Sequence, residues 1–313
     1  MPLHATLAEA IASQQAAPPR DTLDIAELRK VLKQTYDTGA PKAKVRAFFD
    51  VTFPGPGGPV PLRIYSPHGE GPFPVVVFFH GGGFCLHDLD THDALCREIS
   101  ARSECLVVSV GYRLAPEAKF PAGIDDCLGA VRWFASHGGI YHADASKMCV
   151  AGDSSGGCMA AVTALRLRDE GGPALTAQLL FYPVTDHYSA AWPSYSDYRT
   201  DYGLTDKLMS HYWDLYLPAQ ANHNDQTVSP LRASSFDALP STFILTAEYD
   251  VLRDEGEAYG SRLTDAGVAV HVERCDGFNH GFLRWINIIP EVNTRLIQAT
   301  DWLSAAFVTD KQS

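Results

Sequence analysis

A serine, an acid and a histidine occur along this chain in an order that suits nucleophilic acyl transfer. Ser154 sits in Gly152-Asp153-Ser154-Ser155-Gly156. A serine hydroxyl is a poor nucleophile near neutral pH, so a base must take its proton as it attacks. Histidine suits that task because its unperturbed pKa is about 6.5. His280, in Asp276-Gly277-Phe278-Asn279-His280-Gly281-Phe282, is the base candidate. Three acids compete to orient it: Asp250, Asp254 and Glu255, all within Glu248-Tyr249-Asp250-Val251-Leu252-Arg253-Asp254-Glu255-Gly256. Asp254 and Glu255 read as first-turn acids of a helix running to Gly267, where they complement the dipole. Asp250 falls where a strand ends and is the better candidate. His271 alternates within a strand and reads as packed or surface-facing.

The elements around these residues would place them correctly. Met148-Cys149-Val150-Ala151 reads as a strand into the Ser154 pentapeptide, and an apolar helical pattern follows from Gly157 to Leu165. A sharp strand-to-helix turn exposes the serine and needs very small neighbours, which Gly152 and Gly156 provide. It also leaves the N–H of Ser155 at a helix N-terminus, facing the reacting centre. Upstream, the buried strand Pro74-Val75-Val76-Val77-Phe78-Phe79 ends in His80-Gly81-Gly82-Gly83-Phe84. Consecutive glycines let the backbone approach a ligand and turn its N–H groups inward, a second source of oxyanion donors.

With these residues in view, the chain resembles the hormone-sensitive-lipase-like (bacterial family IV) carboxylesterases of the α/β-hydrolase superfamily. The resemblance rests on His80-Gly81-Gly82-Gly83-Phe84, on Gly152-Asp153-Ser154-Ser155-Gly156-Gly157, on Asp250 to Gly256 and on His280-Gly281-Phe282. Tyr112-Arg113-Leu114-Ala115-Pro116-Glu117 matches a further stretch of that branch. It implies Ser154 as nucleophile, His280 as general base and then acid, and Asp250 as the residue that orients His280. It makes the N–H groups of Gly82, Gly83 and Ser155 the oxyanion hole, with His80, Gly81 and Asp153 supporting the motifs. Position 155 is commonly alanine in this branch, so the serine is expected to bring an extra hydroxyl into the site. Val251 stands where proline is frequent. Tyr112, Arg113 and Glu117 are expected to anchor the loop beneath the oxyanion hole.

Composition agrees and excludes some partners. The 313 residues are enough for one large core plus an added cap, and a net charge of −12 argues against a nucleic-acid partner. No apolar run approaches the ~20 residues of a membrane span, so no stable membrane insertion is expected. The opening Met1-Pro2-Leu3-His4-Ala5-Thr6 lacks the basic and apolar regions of a signal peptide, which makes a cytoplasmic location the expectation. Seven scattered cysteines without a C-x-x-C pair read as reduced, buried thiols, with Cys85, just past the glycine loop, given a packing role. His87 to Asp93 is rich in His and Asp but has no third ligand at metal spacing, so no metal is expected, and the chemistry calls for no cofactor.

The expected fold is α/β: an α/β-hydrolase with a mostly parallel central sheet flanked by helices, and a helical cap. Strands are expected at 74–79, 105–110, 147–152, 177–183, 242–247 and 268–273, after an antiparallel hairpin of 47–53 and 60–65 at the sheet edge. Residues 1–45 form an N-terminal helical cap segment, 46–184 and 230–313 the catalytic domain, and 185–229 an inserted cap segment rich in aromatics. In the N-terminal segment Leu3, Leu7 and Ile11 recur at helical spacing, Pro18-Pro19 breaks the pattern, and Asp24 with Glu27 opens a second helix. The expected substrate is a small ester with a short to medium acyl chain. Amide or deacetylase chemistry with the same residues stays open, and a non-catalytic ligand-binding relative is the more distant alternative. Relatives of this branch often pair through a sheet edge, which makes a homodimer an expectation.

Overall fold

The computed structural model describes residues 1–17 and 20–309, so the break expected at Pro18-Pro19 lies outside the described residues. Two helices come first, α1 (Ala5–Gln15) and α2 (Ile25–Tyr36). Asp24 caps α2, its carboxylate accepting from the N–H of Ala26 at 2.9 Å and of Glu27 at 3.4 Å. The hairpin β1 (Ala47–Gly55) and β2 (Gly58–Ser66) follows, then β3 (Phe73–Phe79), α3 (Asp93–Ser103) and β4 (Leu106–Val110). Next come α4 (Ala122–His137), β5 (Ala143–Asp153), α5 (Ser155–Glu170) and β6 (Ala177–Phe181). The segment after β6 carries the short α6 (Pro193–Asp197) and α7 (Asp206–Tyr216). The chain ends with β7 (Ser241–Tyr249), α8 (Arg253–Asp265), β8 (Val270–Asn279) and α9 (Pro290–Thr309).

The strands form one sheet in the order β1-β2-β4-β3-β5-β6-β7-β8. β1 to β2 and β2 to β4 pair antiparallel, and every later pairing is parallel. The inner parallel strands are covered on both faces, which is why they read as apolar runs, while the edge strand β8 is half exposed. In β3, Val75, Val77 and Phe79 join the apolar cluster containing α4 and α5 residues, while Val76 and Phe78 join the one containing α3 and α9 residues. All five are fully buried, each contributing roughly 1.5–3 kcal/mol. β8 runs six residues beyond its expected end at 273, to Asn279, after a register shift against β7 between Ala247 and Tyr249. That extension delivers the chain to His280.

Candidate active site

β5 ends at Asp153 and α5 begins at Ser155, leaving Ser154 on a single-residue turn with φ 55° and ψ −123°. This is a sparsely populated conformation for a side-chain-bearing residue. The flanking glycines are sterically compulsory. A Cβ on Gly152 would lie 2.2 Å from the Gly156 carbonyl oxygen, and one on Gly156 would lie 2.0 Å from that of Phe79.

Ser154 Oγ lies 2.9 Å from His280 Nε2, and His280 Nδ1 lies 2.7 Å from Asp250 Oδ2. A carboxylate only accepts, so Nδ1 carries the proton and Nε2 is left to accept from the serine hydroxyl. The other carboxylate oxygen of Asp250 accepts from the N–H of Leu252 at 3.0 Å, which fixes the acid itself. The His280 ring packs edge-on against Tyr182, centroids 4.9 Å apart. The other two acids point elsewhere. Asp254 accepts from the Ser194 N–H at 2.9 Å. Glu255 is fully buried and accepts from the N–H groups of Thr185 at 2.8 Å and Asp186 at 3.2 Å. His271 is surface-facing and stacks on Phe243.

The glycine loop is braced from below. Gly81 N–H donates to Asp153 Oδ1 at 2.8 Å, and the Tyr112 hydroxyl donates to the His80 carbonyl at 2.6 Å. Burial, reinforced by His92, pushes His80 down to about 4, so the neutral ring donates from Nδ1 to the Gly81 carbonyl, 2.8 Å away. Burial alone would raise Asp153. The neighbouring His92, the Gly81 N–H and His80 outweigh it and hold the carboxyl below its usual value. His92 Nε2 lies 3.1 Å from Asp153 Oδ1 without the alignment of a hydrogen bond. Gly82 (φ 121°) and Gly83 (φ 58°) have backbones that favour glycine, and a Cβ on Gly83 would lie 2.5 Å from the Tyr212 ring. Neither N–H donates to a partner among the described residues. The N–H of Ser155, at the first position of α5, has no carbonyl one turn earlier to bind.

A cavity of about 140 Å³ holds Ser154, His280, Gly82 and Gly83 on its wall. Leu7 and Ile11 of α1, Leu32 of α2, and Met209 and Tyr212 of α7 line its apolar part.

A family described as alpha/beta hydrolase fold matches residues 76–284. Esterase LipI of Mycobacterium tuberculosis is 42% identical over 245 residues, 77% of this chain and 76% of LipI. Ethyl acetate hydrolase of Pseudomonas putida is 35% identical over 253 residues, 79% of each chain. Among solved structures, the hyperthermophilic esterase of the archaeon Pyrobaculum calidifontis superposes with a TM-score of 0.92 at 35% identity, over 97% of this chain and 99% of that one. The chain belongs to the hormone-sensitive-lipase-like branch of the α/β-hydrolases.

Within this hydrolase, several groups have places the sequence pattern did not assign. The Ser155 side chain does not enter the site as expected. It is fully buried and its Oγ makes no hydrogen bond among the described residues, because the elbow turns the residue after Ser154 down into the core. Of the eight tyrosines and tryptophans between 188 and 216, only Tyr212 lines the cavity of Ser154. Trp213 and Tyr216 pack under it against Phe84, with ring centroids 5.0 and 4.0 Å away. Arg113 pairs with Asp126 at 2.8 Å, and Glu117 receives Arg29 from α2 at 2.8 Å. The seven cysteines are buried and free, and burial pushes the Cys85 thiol up to about 12. Among the described residues no group of His, Cys, Asp and Glu side chains is arranged to hold a metal ion, and no helix is long and apolar enough to cross a membrane.

Proposed function

We propose that this hydrolase is a serine carboxylesterase for short- to medium-chain acyl esters. The observation that carries the reading is the unbroken hydrogen-bonded chain from Asp250 through His280 to Ser154. His280 takes the Ser154 proton as the hydroxyl attacks the ester carbonyl, and Asp250 holds the ring and stabilises the imidazolium. The N–H groups of Gly82, Gly83 and Ser155 bind the tetrahedral oxyanion, each worth about 3 kcal/mol to the transition state. His280 then passes its proton to the departing alcohol, leaving an acyl-enzyme. Water, activated by the same histidine, attacks that ester and releases the acid.

The size of the cavity supports the chain-length range. About 140 Å³ is small beside the roughly 300–1,000 Å³ of pockets for drug-sized ligands, which favours short acyl groups. Residues 1–45 and 185–229 serve as the cap, because α1, α2 and α7 supply its apolar lining. The named activities of LipI and ethyl acetate hydrolase agree with ester hydrolysis.

The test is hydrolysis of p-nitrophenyl esters from acetate to palmitate by wild type and Ser154→Ala. Turnover that peaks on short chains and vanishes in the variant is the expected result. Absence of turnover above the variant's background overturns the reading and brings amide substrates forward.

A further inference from the structure

Two guanidinium groups line the cavity of Ser154, and neither has a carboxylate partner among the described residues. Arg20 lies between α1 and α2, and Arg284 lies four residues beyond His280. Most other arginines of the chain meet a carboxylate, although Arg46 and Arg262 bind backbone carbonyls. Arg29, Arg63, Arg97, Arg113, Arg232 and Arg274 each meet a carboxylate at 2.6 to 2.9 Å. Arg284 instead donates from Nε to the Tyr36 carbonyl at 2.9 Å and from one Nη to the Thr35 carbonyl. Its charge otherwise faces the rings of Tyr36 and Trp285, 4.9 and 5.7 Å away. Burial lowers this guanidinium from its ordinary range, Tyr36 works against that, and the charge of Arg20 adds to it.

Among the described residues the one carboxylate on the cavity wall is already committed. Asp153 holds the Gly81 N–H and sits beside His92. Two like charges, both half-buried, therefore line one cavity without a carboxylate of their own, an arrangement that a bound anion would relieve. The fork of a guanidinium matches a carboxylate in two parallel hydrogen bonds. The net charge of −12 does not cancel this, since charges farther than about 8 Å are screened at physiological salt.

We propose that the hydrolase selects esters bearing a second, anionic group, a carboxylate above all, which Arg20 and Arg284 bind while Ser154 attacks the ester carbonyl. This rests on the serine-esterase reading. It adds that the preferred substrate is an ester acid and not a neutral ester.

The experiment compares 4-acetoxybenzoate with its neutral methyl ester, for wild type, Ser154→Ala, Arg20→Gln and Arg284→Lys. The quantity read is the ratio of kcat/KM for the two substrates, and comparing that ratio between variants cancels their intrinsic reactivities. In Arg20→Gln the ratio falls about tenfold, close to 1.4 kcal/mol, and mainly through KM. Arg284→Lys keeps the positive charge and retains most of the preference. Turnover of both esters with an unchanged ratio in Arg20→Gln overturns the proposal and leaves the esterase reading intact. Turnover of neither above the Ser154→Ala background overturns both.

Discussion

Arg29 of α2 donates from Nε to the carbonyl of Cys85 at 2.7 Å, two residues past the glycine loop. The same guanidinium binds the Ala115 carbonyl at 2.8 Å and both carboxylate oxygens of Glu117. A side chain from the N-terminal segment thus ties together two loops that lie under the proposed oxyanion hole.

Removing that tie should affect both the fold and the rate. Hydrogen bonds from a charged donor contribute about 1.5–3 kcal/mol each where they are shielded, and Arg29 is only partly so. Arg29→Ala is therefore expected to lower Tm by a few degrees in a thermal melt. The loosened loop is expected to cost about tenfold in kcat with little change in KM, because small misplacements near the reacting atoms are expensive. A melt that shifts while kcat stays at the wild-type value would show that the tie serves stability alone.

The geometry at Asp250 separates orientation from folding. Oδ1 accepts from the Leu252 N–H, while Oδ2 receives His280 Nδ1. An asparagine can keep the first contact through its carbonyl, but its amide then faces Nδ1 and favours the wrong tautomer. Asp250→Asn is expected to fold normally and to lose on the order of 10⁴ in kcat. Steady-state kinetics alongside circular dichroism decides this. A loss of less than tenfold would assign the orientation of His280 to its packing against Tyr182.

Ser154 is held at φ 55°, and a residue with a Cβ pays about 1–3 kcal/mol for such a conformation. Glycine carries no such cost. Ser154→Gly should be inactive yet more stable than Ser154→Ala, with the Tm difference measured between these two inactive variants. Equal melting temperatures would mean that the elbow is not strained.

The sequence was most informative where geometry leaves few residue choices. Gly152 and Gly156 are compulsory because carbonyl oxygens lie within about 2.2 Å of any added Cβ, so the elbow is written in the residues themselves. The inner parallel strands were legible as apolar runs because both their faces are buried, whereas the edge strand β8 is half exposed. The supports were not legible. Arg29, His92 and Glu255 act across gaps of 56 to 88 residues, and nothing in the local pattern distinguishes them from surface charges. Glu255 has an acid's usual place in a first turn, yet it is buried because the segment after β6 folds over it.

Glu255 makes the sharpest pH prediction. Its carboxyl is fully buried, and burial raises it well above the usual carboxylate value against the pull of the Thr185 and Asp186 N–H groups. Among the described residues Oε2 has no hydrogen-bond partner, and neither has the buried hydroxyl of Tyr195, whose titration senses Glu255. A protonated carboxyl can donate where a carboxylate cannot. The sign follows from linkage. Above the unfolded value of about 4.3 the unfolded chain releases this proton while the folded chain keeps it, so this group's contribution to stability falls as pH rises. That loss continues until the folded carboxyl itself ionises. Glu255→Gln keeps an acceptor for Thr185 and Asp186 and carries no ionisable proton. Its stability relative to wild type is therefore expected to improve steadily from pH 5 to pH 8 in denaturant titrations. Glu255→Ala should instead be destabilised at every pH by about 2–4 kcal/mol, since two buried N–H groups lose their acceptor. A difference between Glu255→Gln and wild type that does not vary with pH would mean the native carboxyl ionises normally, with its charge held by the two N–H groups.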